Sequence, residues 1–291
     1  MLEKYIDMRL QKKSLDLIYK VQGIVKEYMA QGYSLTVRQV FYQLVSRDLL
    51  PNTEKSYNEI IRACKSGRLM GIINWDAITD RSCSIDKLAS WSSPKELLSA
   101  AAKQYRRDWW ENQSHYIECW VEKQALADVV KSAAWKYGVT SFACKGYPSI
   151  TAMYDTAERM KAHSKQQCTI LYLGDFDPSG MDMVDNIIKQ MATFGANVAV
   201  ERIALNMEQI FQYDPPPNPA KTRDTRYKRY EQNHGVYSWE LDALPPDVLI
   251  GLITDNILLR LDKETLKKTQ AIEEQERRAI QNISAEIDLA T

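Results

Sequence analysis

No apolar run in the chain approaches the length needed to span a bilayer, so no membrane role is expected. The five cysteines, Cys64, Cys83, Cys119, Cys144 and Cys168, form no CxxC pair, and the histidines, His115, His163 and His234, stand far apart, which argues against a zinc site. Cys119 and Cys144 lie inside apolar runs and read as small buried thiols in a reducing compartment. There is no internal repeat, no low-complexity tract and no glycine-rich nucleotide lid, which argues against a solenoid and against an intrinsic ATPase. The start, MLEKYIDMRLQKK, is charged rather than signal-like, and a cytoplasmic protein is expected. Net charge is zero, so overall charge neither favours nor excludes a polyanionic partner.

What is present suffices for two modest domains, because 291 residues at 45% hydrophobic content can bury a real core in each. Charge is unevenly spread: residues 1–110 carry 18 Lys plus Arg against 12 Asp plus Glu, an excess of +6 that the remainder must cancel. A basic front could face phosphates while an acidic back holds metal, although solvated faces give the same imbalance. Apolar spacing predicts a helix over 14–31, a second over 37–50 capped by Thr36 and stopped before Pro51, and a third over 53–68 closed by Gly67. LMGIINWDAITD, residues 69–80, is rich in β-branched and aromatic residues and predicts a hairpin or wing. Three helices and a wing suggest a winged-helix domain over 1–110. From residue 111 strands alternate with helices, which predicts a mostly parallel, Rossmann-like sheet with a helical C-terminal extension, an α/β class overall. Residues 213–235, with four prolines, predict an exposed basic loop, and a charged helix is expected from Asp262 towards Ile283.

Glu122 follows one predicted strand, and Asp175 and Asp177 close another as G-D-F-D-P-S-G. Carboxyl ends of parallel strands converge, so the three acids can meet in one crevice as hard oxygen ligands suited to magnesium. If the strand persists, Asp175 and Asp177 share one side of it. The same string also serves as an ordinary strand-to-helix turn with an acid near a helix start. In the first half, Arg38 and Tyr42 are four residues apart in T-V-R-Q-V-F-Y, which puts them on one helix face about 6 Å apart at the backbone. Judged on its residues alone, Tyr42 is a core aromatic.

These acids resemble the Toprim fold. The forms W-V-E-K-Q-A-L, K-G-Y-P-S, D-F-D-P-S-G-M-D and T-V-R-Q-V-F-Y, with S-W-E-L-D-A-L-P-P at 238–246, are similar to the A-type, DNA-cleaving component of topoisomerase VI and its meiotic double-strand-break relatives. The resemblance runs from about Leu35 to Asp262. It implies a Toprim domain over 111–291, Mg2+ held by Glu122, Asp175 and Asp177, and Tyr42 as a nucleophile assisted by Arg38 that forms a phosphotyrosyl bond with double-stranded DNA. It also implies a homodimer in which the tyrosine of one protomer works beside the metal of the other. Strand passage would need a separate ATPase partner, and nucleoid association follows from a DNA substrate. Candidate phosphate contacts are Lys65, Arg68, Lys123 and Lys145, with Lys221, Arg223 and Arg226 from the basic loop. Three rivals stay open: a hydrolytic Toprim nuclease in which Tyr42 is structural, a DNA-binding protein without chemistry, and, third, a primase.

Overall fold

A computed structural model describes residues 2–79 and 88–286; Cys83 and Asp80, the last residue of the expected wing, lie outside the described residues. The N-terminal unit is built from helices α1 (Lys12–Ala30), α2 (Val37–Ser46) and α3 (Glu54–Leu69). Thr36 caps α2 reciprocally: its side-chain oxygen accepts the Gln39 N–H at 3.2 Å, and the Gln39 side chain accepts the Thr36 N–H at 2.9 Å. Helix α2 ends before the expected point, because Asp48 takes a left-handed φ of 55° and the Leu49 N–H returns to the Leu44 carbonyl. Gly67 does not close α3. It lies within the helix, where a Cβ would sit 2.5 Å from Ile73 Cδ1, and the left-handed position falls at Gly71, φ +71°. Ile18, Val21, Leu35, Val40, Leu44, Ile60 and Ile73 fill the space between the three helices.

The expected hairpin does not form within 69–79, the part of the predicted wing that is described. The segment makes a 3-10 turn, Trp75–Ala77, and a single parallel bridge from Leu35 to Ile78. Its apolar residues satisfy burial by packing instead of pairing, since Ile73, Ala77 and Ile78 are all buried in the three-helix core.

Helix α4 (Pro94–Gln104), capped by Ser93, has no counterpart in the expected elements and packs on the C-terminal helix α11 (Lys263–Glu286). Between these two helices in sequence comes a parallel sheet of β1 (His115–Val121), β2 (Thr140–Ala143), β3 (Gln167–Leu173) and β4 (Ala199–Ala204), in the order β2-β1-β3-β4. Val121 is in register with Ala143 on one side and Leu173 on the other. Helix α5 (Ala127–Trp135) packs on α10 (Pro246–Leu258), and α6 (Ile150–Ala162) packs on α7 (Pro178–Thr193), giving the sheet a helical layer on each face. That double cover explains why six consecutive residues of β1 and of β3 are buried. The charge of the buried Glu118 on β1 is answered by Arg159 of α6 at 3.0 and 3.2 Å and by the Trp120 indole at 2.9 Å.

The stretch expected as one basic loop is partly ordered. After α8 (Met207–Tyr213) it contains β5 (Asn218–Pro219) and α9 (Tyr227–His234), and β5 pairs antiparallel with β6 (Tyr237–Ser238). Tyr230 anchors it, buried with its hydroxyl donating to the carbonyls of Phe176 and Tyr237. No helix among the described residues is long and apolar enough to cross a membrane.

Candidate active site

The chain runs from β1 outward to β2 and then crosses to β3 on the other side of β1. The reversal opens a crevice at the carboxyl ends of β1 and β3. Glu122 enters it directly after β1, its N–H donating to the Leu173 carbonyl at 2.9 Å. One carboxylate oxygen, Oε2, accepts the Asp175 N–H at 3.0 Å and the Tyr172 hydroxyl at 3.4 Å. Burial, and then the charge of Asp175, push the Glu122 carboxyl up to about 7, with Asp177 adding to the effect.

Strand β3 stops at Leu173, so Asp175 and Asp177 do not share a strand face. Asp177 is the N-cap of α7, accepting the Gly180 N–H at 2.7 Å and the Ser179 hydroxyl at 3.2 Å. The loop between strand and helix is fixed from two sides. Arg202 of β4 donates to the carbonyls of Gly174, Asp175, Gly180 and Leu205, and Phe176 exchanges two backbone hydrogen bonds with Trp239. The second clamp draws Glu240, Leu241 and Asp242 to the crevice, where the Leu241 N–H donates to Asp175 Oδ1 at 2.8 Å.

Lys123 points into this cluster. Its ammonium lies 2.8 Å from Asp175, 2.8 Å from Glu240 and 3.2 Å from Asp242. Burial alone would push its proton off, but the three carboxylates outweigh burial and hold the proton above the ordinary lysine range. Burial pushes Asp175 up against the opposing pull of Lys123 and the Leu241 N–H. Asp242 is buried, and its Oδ1 has no hydrogen-bond partner.

Arg38 and Tyr42 reach the same cluster from α2. The Arg38 guanidinium contacts Glu240 at 3.2 Å and Asp242 at 3.9 Å. Tyr42 is only 3% exposed, yet it lines a cleft of about 230 Å3 together with Arg38, Tyr57, Asn218 and Glu240. Burial and the Glu240 charge push its phenol up to about 12, while Asn218, Arg38 and Lys123 pull the other way. Arg38 pulls the phenol down, but burial and Glu240 prevail. A larger groove of about 750 Å3, lined by Lys12, Lys13, Lys20 and Arg62 among others, contains none of the crevice acids.

The remaining candidate residues divide by environment. Lys65, Lys145, Lys221 and Arg223 are exposed. Arg68 turns inward, donating to the carbonyls of Trp75 and Ile78, and Arg226 is held by Asp224, Tyr147 and Asp182. The residue pattern alone gives no role to Glu240, Asp242 or Arg202. Arg202 carries a weak signal, as one of two charged residues with Glu201 in the strand AVERIA, whereas Glu240 and Asp242 lie in a segment that only the family resemblance singles out.

Among the described residues no His, Cys, Asp or Glu cluster is laid out as a metal site, and the three carboxylates that do converge, from Asp175, Glu240 and Asp242, close on the Lys123 ammonium. The donor chemistry still fits a hard cation: the acids of the crevice offer carboxylate oxygens, burial and then the Asp175 charge push Glu122 up to about 7, and Asp242 Oδ1 is buried with no hydrogen-bond partner among the described residues. Neither a family model nor a curated protein matches this chain.

Proposed function

We propose that the protein is a magnesium-dependent DNA-cleaving enzyme that acts by transesterification, with Tyr42 as nucleophile. One observation carries this reading. A helix bearing Arg38 and Tyr42 docks through Glu240 and Asp242 onto the crevice that holds Glu122, Asp175 and Asp177. Glu122, Asp175 and Asp177 would hold the ion, which when bound supplies charge neutralisation at the scissile phosphate and at the departing sugar oxygen. The phenolic oxygen forms a bond to phosphorus, the bond from phosphorus to the sugar oxygen breaks, and that oxygen leaves as a hydroxyl. Arg38 orients the phosphate. Resemblance to the A-type topoisomerase VI family supports attachment to the 5′ end, action as a homodimer on double-stranded DNA, and, for strand passage, a separate ATPase partner.

The test is incubation with magnesium and end-labelled duplex, followed by denaturing electrophoresis. A covalent protein-DNA adduct is expected from the wild type and none from Tyr42→Phe. Free DNA ends without adduct, persisting in Tyr42→Phe, support a second reading, hydrolysis by the same acids with a structural tyrosine. The observation favouring that alternative is the burial of Tyr42, 3% exposed, which pushes its phenol up to about 12 and makes its deprotonation harder than that of a free tyrosine.

A further inference from the structure

The ammonium of Lys123 has the surroundings of a bound cation. Three carboxylates, from Asp175, Glu240 and Asp242, converge on it within 3.2 Å. Lys123 immediately follows Glu122, so the main chain that delivers one acid of the crevice also delivers the positive charge. The Asp242 carboxylate is only half used: Oδ2 faces Lys123, while Oδ1 is buried with no partner. Lys123 and Arg38 together thus leave unspent acceptor capacity on the Asp242 carboxylate, which solvent does not reach.

We propose that Lys123 is a displaceable resident cation, which closes the crevice by occupying Asp175 and competes with a divalent ion for that carboxylate. Asp175 Oδ1 accepts the Leu241 N–H and Oδ2 faces Lys123, so an ion that takes Oδ2 competes directly with the ammonium. When Asp175 is taken, the ammonium keeps Glu240 and Asp242 as partners and need not be left as an uncompensated buried charge. The exchange reaches Tyr42 through Glu240, which is shared by Lys123 and Arg38 and lines the tyrosine cleft. A nucleic-acid phosphate offers the displaced ammonium a further anionic partner, so substrate and metal favour each other's binding, and by linkage the effect is reciprocal.

This inference deepens the proposed function and rests on its metal site, but its test needs no DNA. Binding of Mn2+ alone is measured by calorimetry and electron paramagnetic resonance on the full chain. Lys123→Gln is expected to bind Mn2+ about tenfold tighter than wild type, within the range of ordinary coupling between sites. Lys123→Arg, which keeps the charge, is expected to stay within about twofold of wild type. Equal or weaker Mn2+ binding by Lys123→Gln overturns the proposal while leaving the metal site standing; no Mn2+ binding by any variant removes both. Should Lys123→Gln fail to fold, Lys123→Gln/Glu240→Gln deletes one charge of each sign, and tighter Mn2+ binding there than in Glu240→Gln alone is the supporting result. Weaker or equal binding in that comparison overturns the proposal.

Discussion

At the scale of single residues, the crevice assigns each acid a different environment, and those differences can be tested. Asp177 has two separable roles, because the oxygen that caps α7 belongs to the carboxylate proposed to bind metal. Asparagine caps a helix as well as aspartate does, so Asp177→Asn is expected to retain stability while abolishing cleavage. Asp177→Ala is expected to lose cleavage and also about 1 kcal/mol of stability, read by denaturant unfolding. Glu122 differs because burial and Asp175 push it up to about 7, above its ordinary 4.5. Between those values the folded protein retains a proton that the unfolded chain releases. The stabilising contribution of Glu122 is therefore complete below about 4.5 and is lost as pH rises through about 7. Thermal melts of the metal-free protein should fall over that window, and Glu122→Gln, which cannot ionise, should flatten this part of the profile. A Glu122→Gln profile as steep as wild type would place the titrating group elsewhere.

At the scale of elements, legibility follows the source of each element's stability. Strands β1 and β3 are near-continuous apolar runs buried on both faces, and the caps Thr36, Thr53 and Ser149 each accept a backbone N–H at a helix start, so local sequence suffices for these. Over 69–79, the described part of the expected wing, no hairpin forms because Ile73 and Ile78 are buried by α1–α3, a tertiary effect that alternation cannot reveal. Helix α9 is hidden because Tyr230 is its only buried residue, and Glu240 is hidden because the Phe176–Trp239 clamp links positions more than sixty residues apart. Two helical glycines separate packing from function. At Gly180 a Cβ would overlap the Asp175 carbonyl oxygen and lie 3.1 Å from Glu122 Oε2, so the acid loop itself must move. At Gly67 a Cβ meets the tip of Ile73, remote from the acids. Both Gly→Ala variants are expected to cost about 1–3 kcal/mol. Only Gly180→Ala should also lose cleavage per folded molecule.

At the scale of the whole molecule, zero net charge conceals a division of labour. The acidic residues include five gathered at one crevice, Glu122, Asp175, Asp177, Glu240 and Asp242, three of which face the Lys123 ammonium. On the proposed DNA substrate, phosphate contact falls to basic groups not committed internally, and the fold narrows the choice. Lys123 is held by carboxylates until it is displaced, Arg68 is tied to backbone carbonyls and Arg226 is held by Asp224, whereas Lys65, Lys145, Lys221 and Arg223 are exposed, the last three lying in the half of the chain that carries the acids. Each phosphate neutralised on duplex DNA releases counterions and contributes about −0.9 to the slope of log affinity against log salt. Replacing Lys145, Lys221 and Arg223 together by Gln should make the slope shallower by about 3 if all three reach the backbone, with little change in melting temperature because their side chains are solvated. An unchanged slope would move the DNA path to another face, with the basic groove of Lys12, Lys13, Lys20 and Arg62 as the next to be mutated.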